Sequence, residues 1–395
     1  MMGFIEEASL DLEELGRCSR CGRCQAVCPV YLATGQERLV ARGKLALIDA
    51  VWKGMITPSE AFIETISRCL LCGACRDYCA RAVATDAIIQ RLRAASAKAL
   101  GLPRFYSLLF AGLSRPRLLG AAGQLGRLAQ GLLRVLPGGP TSLLPWLNKY
   151  SGLPPLASRP FLPAGMYPAP APGAVGLFVG CGANYFYPDA ARAALGLLEA
   201  AGVLVVVPPD QGCCGLPAHG AGDDASSAEL AKRNTAAFAG LSSVVVLCAS
   251  CAHRLRGYQG LPEVKLLPEL LEAAPLPQSE GEKLRVAYHA PCHARFHRPG
   301  KEAMTRWLSR LAHIEYVPTP DACCGSGGLF GLSHPELARS ILHTRLAGLL
   351  ASHPEVIVTD CSGCLLRLRR GLREMRCPVP VLHPAELPAG LHGGR

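Results

Sequence analysis

The alternation of hydrophobic and polar positions divides the chain into a helical first part and a mixed second part. In residues 38–53, Leu39, Leu45, Ile48 and Trp52 recur at close to helical spacing, which predicts an amphipathic helix. Beyond the middle of the chain, short runs of β-branched residues alternate with stretches rich in alanine and leucine. This alternation predicts α/β units built around buried parallel strands.

The predicted elements define four segments. The strands are expected at Val175–Val179, Val203–Val207, Val244–Leu247, Val286–His289, Ile314–Val317 and Val356–Thr359. Helices such as Ala190–Ala201 and Pro335–Ala351 lie between them. The middle of the chain has helix-like pieces broken by Pro116 and Pro137 and ends in a proline-rich run, as is typical of a linker. We expect a helical domain at 1–100, a linker at 101–172, and α/β domains at 173–278 (the first repeat) and 279–395 (the second repeat).

The composition directs attention to cysteine. Of 395 residues, 50% are hydrophobic and 18% are charged, which fits a globular chain rather than a disordered one. Glu6 and Glu7 stand where a secretory signal carries basic residues, and no membrane span is visible, so we expect a cytoplasmic protein. In that reducing compartment, nineteen cysteines are expected to be metal ligands or catalytic thiols rather than disulfides.

Eight cysteines form two motifs with one spacing, C-x2-C-x2-C-x3-C. The first motif is Cys18, Cys21, Cys24 and Cys28, and the second is Cys69, Cys72, Cys75 and Cys79. This spacing is typical of two-cluster bacterial ferredoxins, in which the fourth cysteine of each run binds the cluster of the other run. One [4Fe-4S] cluster is therefore expected on Cys18, Cys21, Cys24 and Cys79, and the other on Cys69, Cys72, Cys75 and Cys28. Two zinc sites are the alternative, but zinc sites use separated pairs rather than a run of four.

The second half of the chain is duplicated. Its first set of cysteines is Cys181, Cys213, Cys214, Cys248 and Cys251, and the second set is Cys292, Cys323, Cys324, Cys361 and Cys364, at offsets of 110 to 113 residues. Glu229–Lys232 also resembles Glu336–Arg339. Each cysteine loop follows a predicted strand, where ligands bind in open α/β sheets. Adjacent cysteines can bind different irons of one cluster; redox-active dithiols and buried thiols are the alternatives.

This layout resembles the iron–sulfur subunit family of glycolate oxidase, which is related to subunits of heterodisulfide reductase and of anaerobic glycerol-3-phosphate and D-lactate dehydrogenases. The segments that carry the resemblance are Cys28-Pro29-Val30-Tyr31, Ala41-Arg42-Gly43-Lys44, Cys323-Cys324-Gly325-Ser326-Gly327 and His334-Pro335-Glu336-Leu337-Ala338-Arg339. It implies an α+β multidomain fold, with an α-helical ferredoxin domain, a basic helical and proline-rich linker, and two α/β CCG domains. Because both C-x2-C pairs are complete, the heterodisulfide reductase relatives imply one or two further, noncubane [4Fe-4S] clusters on the repeat cysteines.

The resemblance implies an electron-transfer subunit of an FAD-linked 2-hydroxy acid dehydrogenase that acts on glycolate or D-lactate. The chain lacks a GxGxxG motif, and an iron–sulfur protein cannot take a hydride, so FAD is expected only on a partner oxidase subunit. Electrons would continue to a quinone or another acceptor, and no residue of this chain is expected to be catalytic. The rival is a heterodisulfide reductase-like subunit whose CCG clusters reduce a disulfide. A zinc scaffold is the third hypothesis.

The formal charge of +11 has a definite location. No acidic residue lies between Asp86 and Asp189, a stretch that carries ten lysines and arginines. The charge therefore marks a basic linker rather than a nucleic-acid surface, and we expect no nucleic-acid partner. Residues 104–136 could form a basic amphipathic segment on the inner face of the cytoplasmic membrane. The alternative is that the linker covers the cluster domain or binds a partner subunit.

Three residues near the motifs receive separate expectations. His219 and His293 are expected to hydrogen-bond cluster sulfurs or to face water rather than to bind metal. Cys377 lies outside both repeats and is expected to be a buried thiol.

Overall fold

The computed structural model describes residues 8–10, 12–113, 156–162, 173–272, 274, 283–296 and 300–387. Its N-terminal helices are α1 (Leu12–Gly16), α2 (Pro29–Thr34), α3 (Ala41–Trp52), α4 (Glu60–Ser67), α5 (Ala74–Asp77), α6 (Thr85–Leu100) and α7 (Arg104–Leu113), with 3-10 turns at Arg23–Ala26 and Glu37–Leu39. The predicted helix is confirmed as α3. Leu45, Ile48 and Val51 form its buried face, whereas Trp52 is 36% exposed and lies outside the core.

The first repeat forms a four-stranded parallel sheet. Its elements are β1 (Val175–Phe178), α8 (Gly180–Tyr185), α9 (Pro188–Ala200), β2 (Val205–Val206), α10 (Leu216–Ala221), α11 (Asp224–Ala237), β3 (Ser243–Val246), α12 (Ala249–Leu255), β4 (Glu263–Leu266) and α13 (Leu267–Leu270). The strand order is β2-β1-β3-β4. Both central strands are buried at every position because helices cover both faces of the sheet.

The second repeat has the same architecture. Its elements are β5 (Leu284–Tyr288), α14 (Cys292–Phe296), α15 (Gly300–Ser309), β6 (Ile314–Val317), α16 (Phe330–Ser333), α17 (Pro335–Leu350), β7 (Val356–Val358), α18 (Ser362–Glu374) and β8 (Val381–Leu382), followed by a 3-10 turn at Pro384–Glu386. The order β6-β5-β7-β8 reproduces that of the first sheet. The duplication of the cysteines is therefore a duplication of the whole fold.

All six predicted strands are present, but the last strand of each sheet was not predicted. β4 has one exposed and one half-buried position, and β8 is only two residues long and follows Pro380. Short, partly exposed edge strands lack the continuous hydrophobic run that marks the buried central strands. This is why the sequence pattern finds three strands in each repeat and the structure has four.

The positions of helices α11 and α17 show that Glu229–Lys232 and Glu336–Arg339 are not equivalent segments of the two repeats. The residues that cap their N-termini are Asp223 and His334, which are 111 positions apart, in agreement with the cysteine offsets. Glu229–Lys232 and Glu336–Arg339 are 107 positions apart and so lie one helical turn out of register. Their resemblance is a local similarity of helical sequence and does not mark equivalent positions.

The two repeats pack directly against each other. The Ala249 N–H at the start of α12 donates to the Asp360 carbonyl at 2.7 Å. His383 contributes a second link, because its Nε2 lies 2.8 Å from the Leu247 carbonyl oxygen. The carboxyl ends of β3 and β7 therefore face each other across the repeat boundary.

The N-terminal helical domain packs against both repeats. Val30 and Leu70 share a hydrophobic cluster with Phe330 and Ile341 of the second repeat. On the other side, the Arg93 guanidinium donates to the Gly220 carbonyl of the first repeat at 2.9 Å. The three domains thus form one connected unit, and Cys72 of the second motif lies where the N-terminal domain meets the repeats.

Little of the predicted linker lies within the described residues. In α7, Phe110 is fully buried, while Phe105 and Leu108 are exposed. The remainder of the basic segment 104–136, from residue 114 onward, lies outside the described residues. Among the helices that are described, none combines the length and the hydropathy needed to span a bilayer.

Candidate metal centres

The two N-terminal cysteine motifs share one backbone conformation. Arg20 and Leu71 occupy equivalent positions and have φ values of 55° and 51°, and Gly22 and Gly73 have φ values of 85° and 78°. Each left-handed pair flanks the second cysteine of its motif. These left-handed turns curve the chain tightly around the second cysteine of each motif, as ligands of a compact cluster require.

Cys28 lies with the cysteines of the second motif. Burial raises the pKa of Cys28, and the nearby Cys69 thiolate raises it further. Burial likewise raises the pKa of Cys75, with contributions from Cys69 and Cys28. Cys24 instead lies near Cys18 of its own motif. Cys24 also contributes to the pKa of Cys75, so the two motifs adjoin, and the crossed ligand set expected from the spacing stays a prediction.

Two cations accompany the second motif, the half-buried Arg93 and the buried Lys44. The Arg93 guanidinium donates to the carbonyl oxygens of Ser67 and Cys69 at 2.7 and 2.6 Å. The Lys44 ammonium is buried and donates to the Leu39 carbonyl oxygen. Burial lowers the pKa of Lys44, while nearby Cys69 opposes that change. Positive charge at this depth offsets the negative charge of thiolate-bound iron.

The ten repeat cysteines line a single cavity of about 730 Å³. They are Cys181, Cys213, Cys214, Cys248, Cys251, Cys292, Cys323, Cys324, Cys361 and Cys364. In each repeat they come from three loops at the carboxyl ends of the parallel strands, and Cys248 and Cys361 occupy the N-cap positions of α12 and α18. The structure therefore brings together all the repeat cysteines that the sequence singled out.

The two cysteine sets are contiguous. Within the first repeat, the sulfurs of Cys181 and Cys213 are 3.7 Å apart, and within the second repeat those of Cys324 and Cys364 are 3.0 Å apart. Across the boundary, the hydroxyl oxygen of Ser250 lies 3.1 Å from the sulfur of Cys361. The cavity is one continuous thiol-lined space and not two separate pockets.

The same cavity reaches the N-terminal domain through Cys72. Burial raises the pKa of Cys72, and the neighbouring Cys292 thiolate is the next largest contribution. Cys28, Cys72 and Cys323 also pack against one hydrophobic cluster. The second motif and the second repeat therefore meet at Cys72.

The donor set fits iron–sulfur clusters. Burial raises the pKa of Cys292 to about 11, so a free thiol there stays protonated at neutral pH. A bound metal deprotonates its thiol ligands and supplies the missing positive charge. A mononuclear zinc ion takes four ligands, whereas each repeat presents five thiols to a shared cavity of about 730 Å³. The residues present therefore suit multinuclear clusters better than single ions.

Both singled-out histidines are in the cavity wall. His293 Nδ1 lies 2.8 Å from the Ser250 hydroxyl, and its ring stacks on His253 with centroids 4.6 Å apart. His219 Nδ1 lies 3.2 Å from the Gln90 amide nitrogen, which belongs to the N-terminal domain. Burial lowers the pKa of each histidine to about 4. Both are therefore neutral at physiological pH.

Cys377, which lies outside both cysteine sets, is half-buried and packs against the core of the repeats.

Family models match the three domains separately. A 4Fe-4S dicluster domain matches residues 14–83, and a cysteine-rich domain of the CCG family matches residues 175–256 and 286–369. These matches agree with the ferredoxin motifs and with the duplicated sheets.

Two of the relatives match nearly the whole chain, and a third matches about half of it. The probable glycolate oxidase iron–sulfur subunit of Bacillus subtilis is 30% identical over 96% of this chain and 94% of its own length. The chain belongs to the glycolate oxidase iron–sulfur subunit family. The glycolate oxidase iron–sulfur subunit of Escherichia coli is 26% identical over 90% of this chain and 89% of its own length. Lactate utilization protein A of Geobacillus kaustophilus is 30% identical over 54% of this chain and 97% of its own length.

Several residues near the cysteines were not predicted from the sequence as site residues. In the sequence, Arg93 is only one of the basic residues between Asp86 and Asp189. Lys44 is only the last residue of a segment that carries the family resemblance. Asp360 is fully buried beside Cys361, and the Tyr288 hydroxyl donates to it at 2.8 Å. A charged residue directly before a repeated cysteine was the available signal for Asp360. No comparable signal marks Arg93, whose role depends on tertiary contacts.

Proposed function

We propose that this member of the glycolate oxidase iron–sulfur subunit family is the electron-transfer subunit of an FAD-linked 2-hydroxy acid dehydrogenase, with glycolate or D-lactate as substrate of the complex. The names of its relatives in Bacillus subtilis, Escherichia coli and Geobacillus kaustophilus support this proposal. The structural support is that Cys72 of the second motif lines the repeat cavity, while Cys21 of the first motif is exposed at the surface.

Two [4Fe-4S] clusters are proposed in the N-terminal domain. Their ligands are Cys18, Cys21, Cys24 and Cys79 for one, and Cys69, Cys72, Cys75 and Cys28 for the other. Such clusters supply one-electron transfer at potentials set by nearby charge and hydrogen bonds. The role of Arg93 and Lys44 is to hold positive charge beside the second set, and Arg93 also holds the loop that carries Cys69.

One further, noncubane [4Fe-4S] cluster is proposed in each CCG domain. The first set would be held by Cys181, Cys213, Cys214, Cys248 and Cys251, and the second by Cys292, Cys323, Cys324, Cys361 and Cys364. The observation in favour is that each repeat aims five thiols from three loops into the common cavity. Fewer thiols would suffice for a single metal ion.

FAD is assigned to a partner oxidase subunit. The electrons that leave this chain are assigned to a quinone or another acceptor. The two-electron oxidation of a 2-hydroxy acid releases a hydride equivalent, which a flavin accepts and can pass on as single electrons. We place the complex in the cytoplasm, with residues 104–136 as a contact to the inner face of the membrane. Because Phe110 is buried in the protein, that contact would use Phe105, Leu108 and the basic residues that follow.

Copurification tests the assigned function. A tagged chain isolated anaerobically from its own cells should retain an FAD-containing protein, and glycolate or D-lactate should then bleach the absorption at about 400 nm. Removal of the flavoprotein should abolish the bleaching. Bleaching by the 2-hydroxy acid without any flavoprotein would contradict the proposal. Sedimentation with anionic vesicles, which a deletion of residues 114–136 should abolish, tests the membrane contact separately.

Disulfide reduction is the second candidate function. It is favoured by the size of the thiol-lined cavity, about 730 Å³, and by the neutral His293 beside Cys292. Rapid reduction of a small heterodisulfide by the reduced chain alone, without a flavoprotein, would favour this candidate. If the reduced chain alone does not reduce the disulfide, that result favours the electron-transfer function over disulfide reduction.

A further inference from the structure

The two CCG domains differ at one position beside their cysteines. Phe178 and His289 occupy equivalent positions, each three residues before the first cysteine of its repeat. Phe178 packs on the Phe238 ring, with centroids 5.9 Å apart. His289 is 1% exposed and hydrogen-bonds to a charged residue. An apolar side chain in the first repeat is therefore replaced by a polar one in the second.

The partner of His289 also differs between the repeats. Asn234 and Arg345 are equivalent, since they are 111 positions apart in helices whose N-caps are 111 positions apart. Asn234 donates to the Cys213 carbonyl and accepts from the Gly212 N–H, both at 2.9 Å. Arg345 donates through Nε to His289 Nδ1 at 2.8 Å. A neutral amide in the first repeat thus corresponds to a cation in the second.

Arg345 fixes the proton of His289. A guanidinium can only donate, so Nδ1 of His289 must be the accepting nitrogen. Because Nδ1 uses its lone pair to accept from Arg345, the ring carries its proton on Nε2. That nitrogen is buried, and the neighbouring group that interacts with the His289 side chain besides Arg345 is the thiol of Cys324.

The Nε2 donor of His289 belongs to the second cysteine set. A ring nitrogen of His289 and the sulfurs of Cys324 and Cys364 all lie within 4.8 Å of one another. Binding of metal through Nε2 would require an imidazolate, because Nδ1 already uses its lone pair to accept from Arg345. The geometry therefore favours His289 as an N–H donor to a cysteine sulfur rather than as a metal ligand.

Positive charge is also greater around the second set. Arg345 is 2% exposed, and although burial lowers its pKa to about 10, it stays protonated at neutral pH. Arg295 stands where the first repeat has Asn184, whereas Arg367 has a counterpart in Arg254. Two cations near the second set thus have neutral counterparts near the first. The buried Asp360 beside Cys361 corresponds to Leu247, so the second set gains two cations against one carboxyl group. Buried positive charge and hydrogen bonds to sulfur both raise the reduction potential of an iron–sulfur cluster.

We propose that the His289–Arg345 pair makes the cluster site of the second CCG domain the one of higher reduction potential, so that an electron in the repeats resides there. This inference rests on the proposed function, which puts a cluster in each repeat. The step is a one-electron reduction, with an electron that originates in the reduced flavin of the partner subunit. No covalent bond of the chain forms or breaks, and the Nε2 proton stays on His289.

The test is an anaerobic redox titration of the iron-loaded chain followed by electron paramagnetic resonance. Signals are assigned to the repeats by their loss in Cys181→Ser or in Cys292→Ser. In the unmodified chain, the signal of the second repeat should appear first as the potential is lowered. His289→Phe and Arg345→Asn, which install the residues of the first repeat, should each shift it to lower potential and leave the first-repeat signal in place.

Two further variants separate electrostatics from packing. Arg345→Lys keeps the charge. It should therefore lower the reduction potential of the second-repeat cluster less than Arg345→Asn does. Arg306→Gln removes an exposed charge from the same repeat and should leave both potentials unchanged. The inference would be overturned if the first-repeat cluster were reduced before the second-repeat cluster. It would also be overturned if the second-repeat cluster had the same reduction potential in His289→Phe as in the unmodified chain. In either case the proposed function would stand. Iron analysis that finds no metal in either repeat would instead overturn the proposed repeat clusters and, with them, this inference.

Discussion

The backbone N–H of Ser362 in the second repeat donates to the sulfur of Cys248 in the first, at a distance of 3.4 Å. Backbone N–H groups that point at a ligating sulfur stabilise the thiolate form. Each repeat therefore supplies part of the environment of the other repeat's cysteines. The two CCG domains work as one unit, and separation of the repeats should impair both sites.

Gly182 tests this close approach. A Cβ at this position would lie 2.3 Å from the Ser362 hydroxyl and 2.5 Å from its Cβ. Gly182→Ala should force the repeats apart, lower the stability by about 1–3 kcal/mol and reduce the iron bound by the repeats. The control is Gly196→Ala in α9, where no atom lies within 4 Å, so that stability should hold or rise. Equal iron content and thermal stability in Gly182→Ala and the unmodified chain would refute the argument.

Cys21→Ser tests the ligand set of the N-terminal domain. Loss of one thiolate should remove one of the two cubane clusters, about four iron atoms per chain, and interrupt electron transfer. The CCG domains should stay folded. Cys377→Ser, which changes a half-buried thiol outside all the motifs, is the matched control and should keep its full iron content. Unchanged iron and unchanged turnover in Cys21→Ser would rule out the assignment.

Arg93→Met tests the half-buried cation beside the second motif. The guanidinium donates to four carbonyl oxygens, those of Ile66, Ser67, Cys69 and Gly220. Removal of these donors leaves buried carbonyls unpaired, at a cost of roughly 3 kcal/mol or more. A chelator should then extract iron faster. Arg93→Lys keeps the charge and should be intermediate, and an extraction rate in Arg93→Met equal to that of the unmodified chain would contradict this role.

The sequence predicts the architecture well because the duplicated cysteines and the buried central strands leave clear patterns. It does not reveal which charged residues turn inward. Arg93 and Arg345 look like ordinary helical arginines in sequence, and only the packing of distant loops gives them carbonyl or imidazole partners. The convergence of both repeats on one cavity is likewise invisible, since it depends on how two similar domains face each other. Local patterns specify elements, whereas these contacts arise from tertiary structure.

His219 predicts a pH dependence of stability. Burial lowers its pKa to about 4 in the folded chain, below its usual value of 6.5, so folding favours the neutral ring. Its contribution to stability is complete above pH 6.5 and is lost as the pH falls from 6.5 towards 4. The midpoint of thermal unfolding should therefore fall less between pH of about 7.5 and about 5.5 in His219→Gln than in the unmodified chain. His343→Gln, at an exposed position, should match the unmodified chain, and a His219→Gln profile identical to it would disprove the prediction.

Metal analysis of the anaerobically purified chain tests the central claim, that this is an iron–sulfur electron carrier. Iron, acid-labile sulfide and zinc are measured together with the absorption spectrum. The account predicts at least about eight iron atoms and as many sulfides per chain, and a broad band at about 400 nm that bleaches on reduction. Stoichiometric zinc, with little iron and no such band, would contradict it.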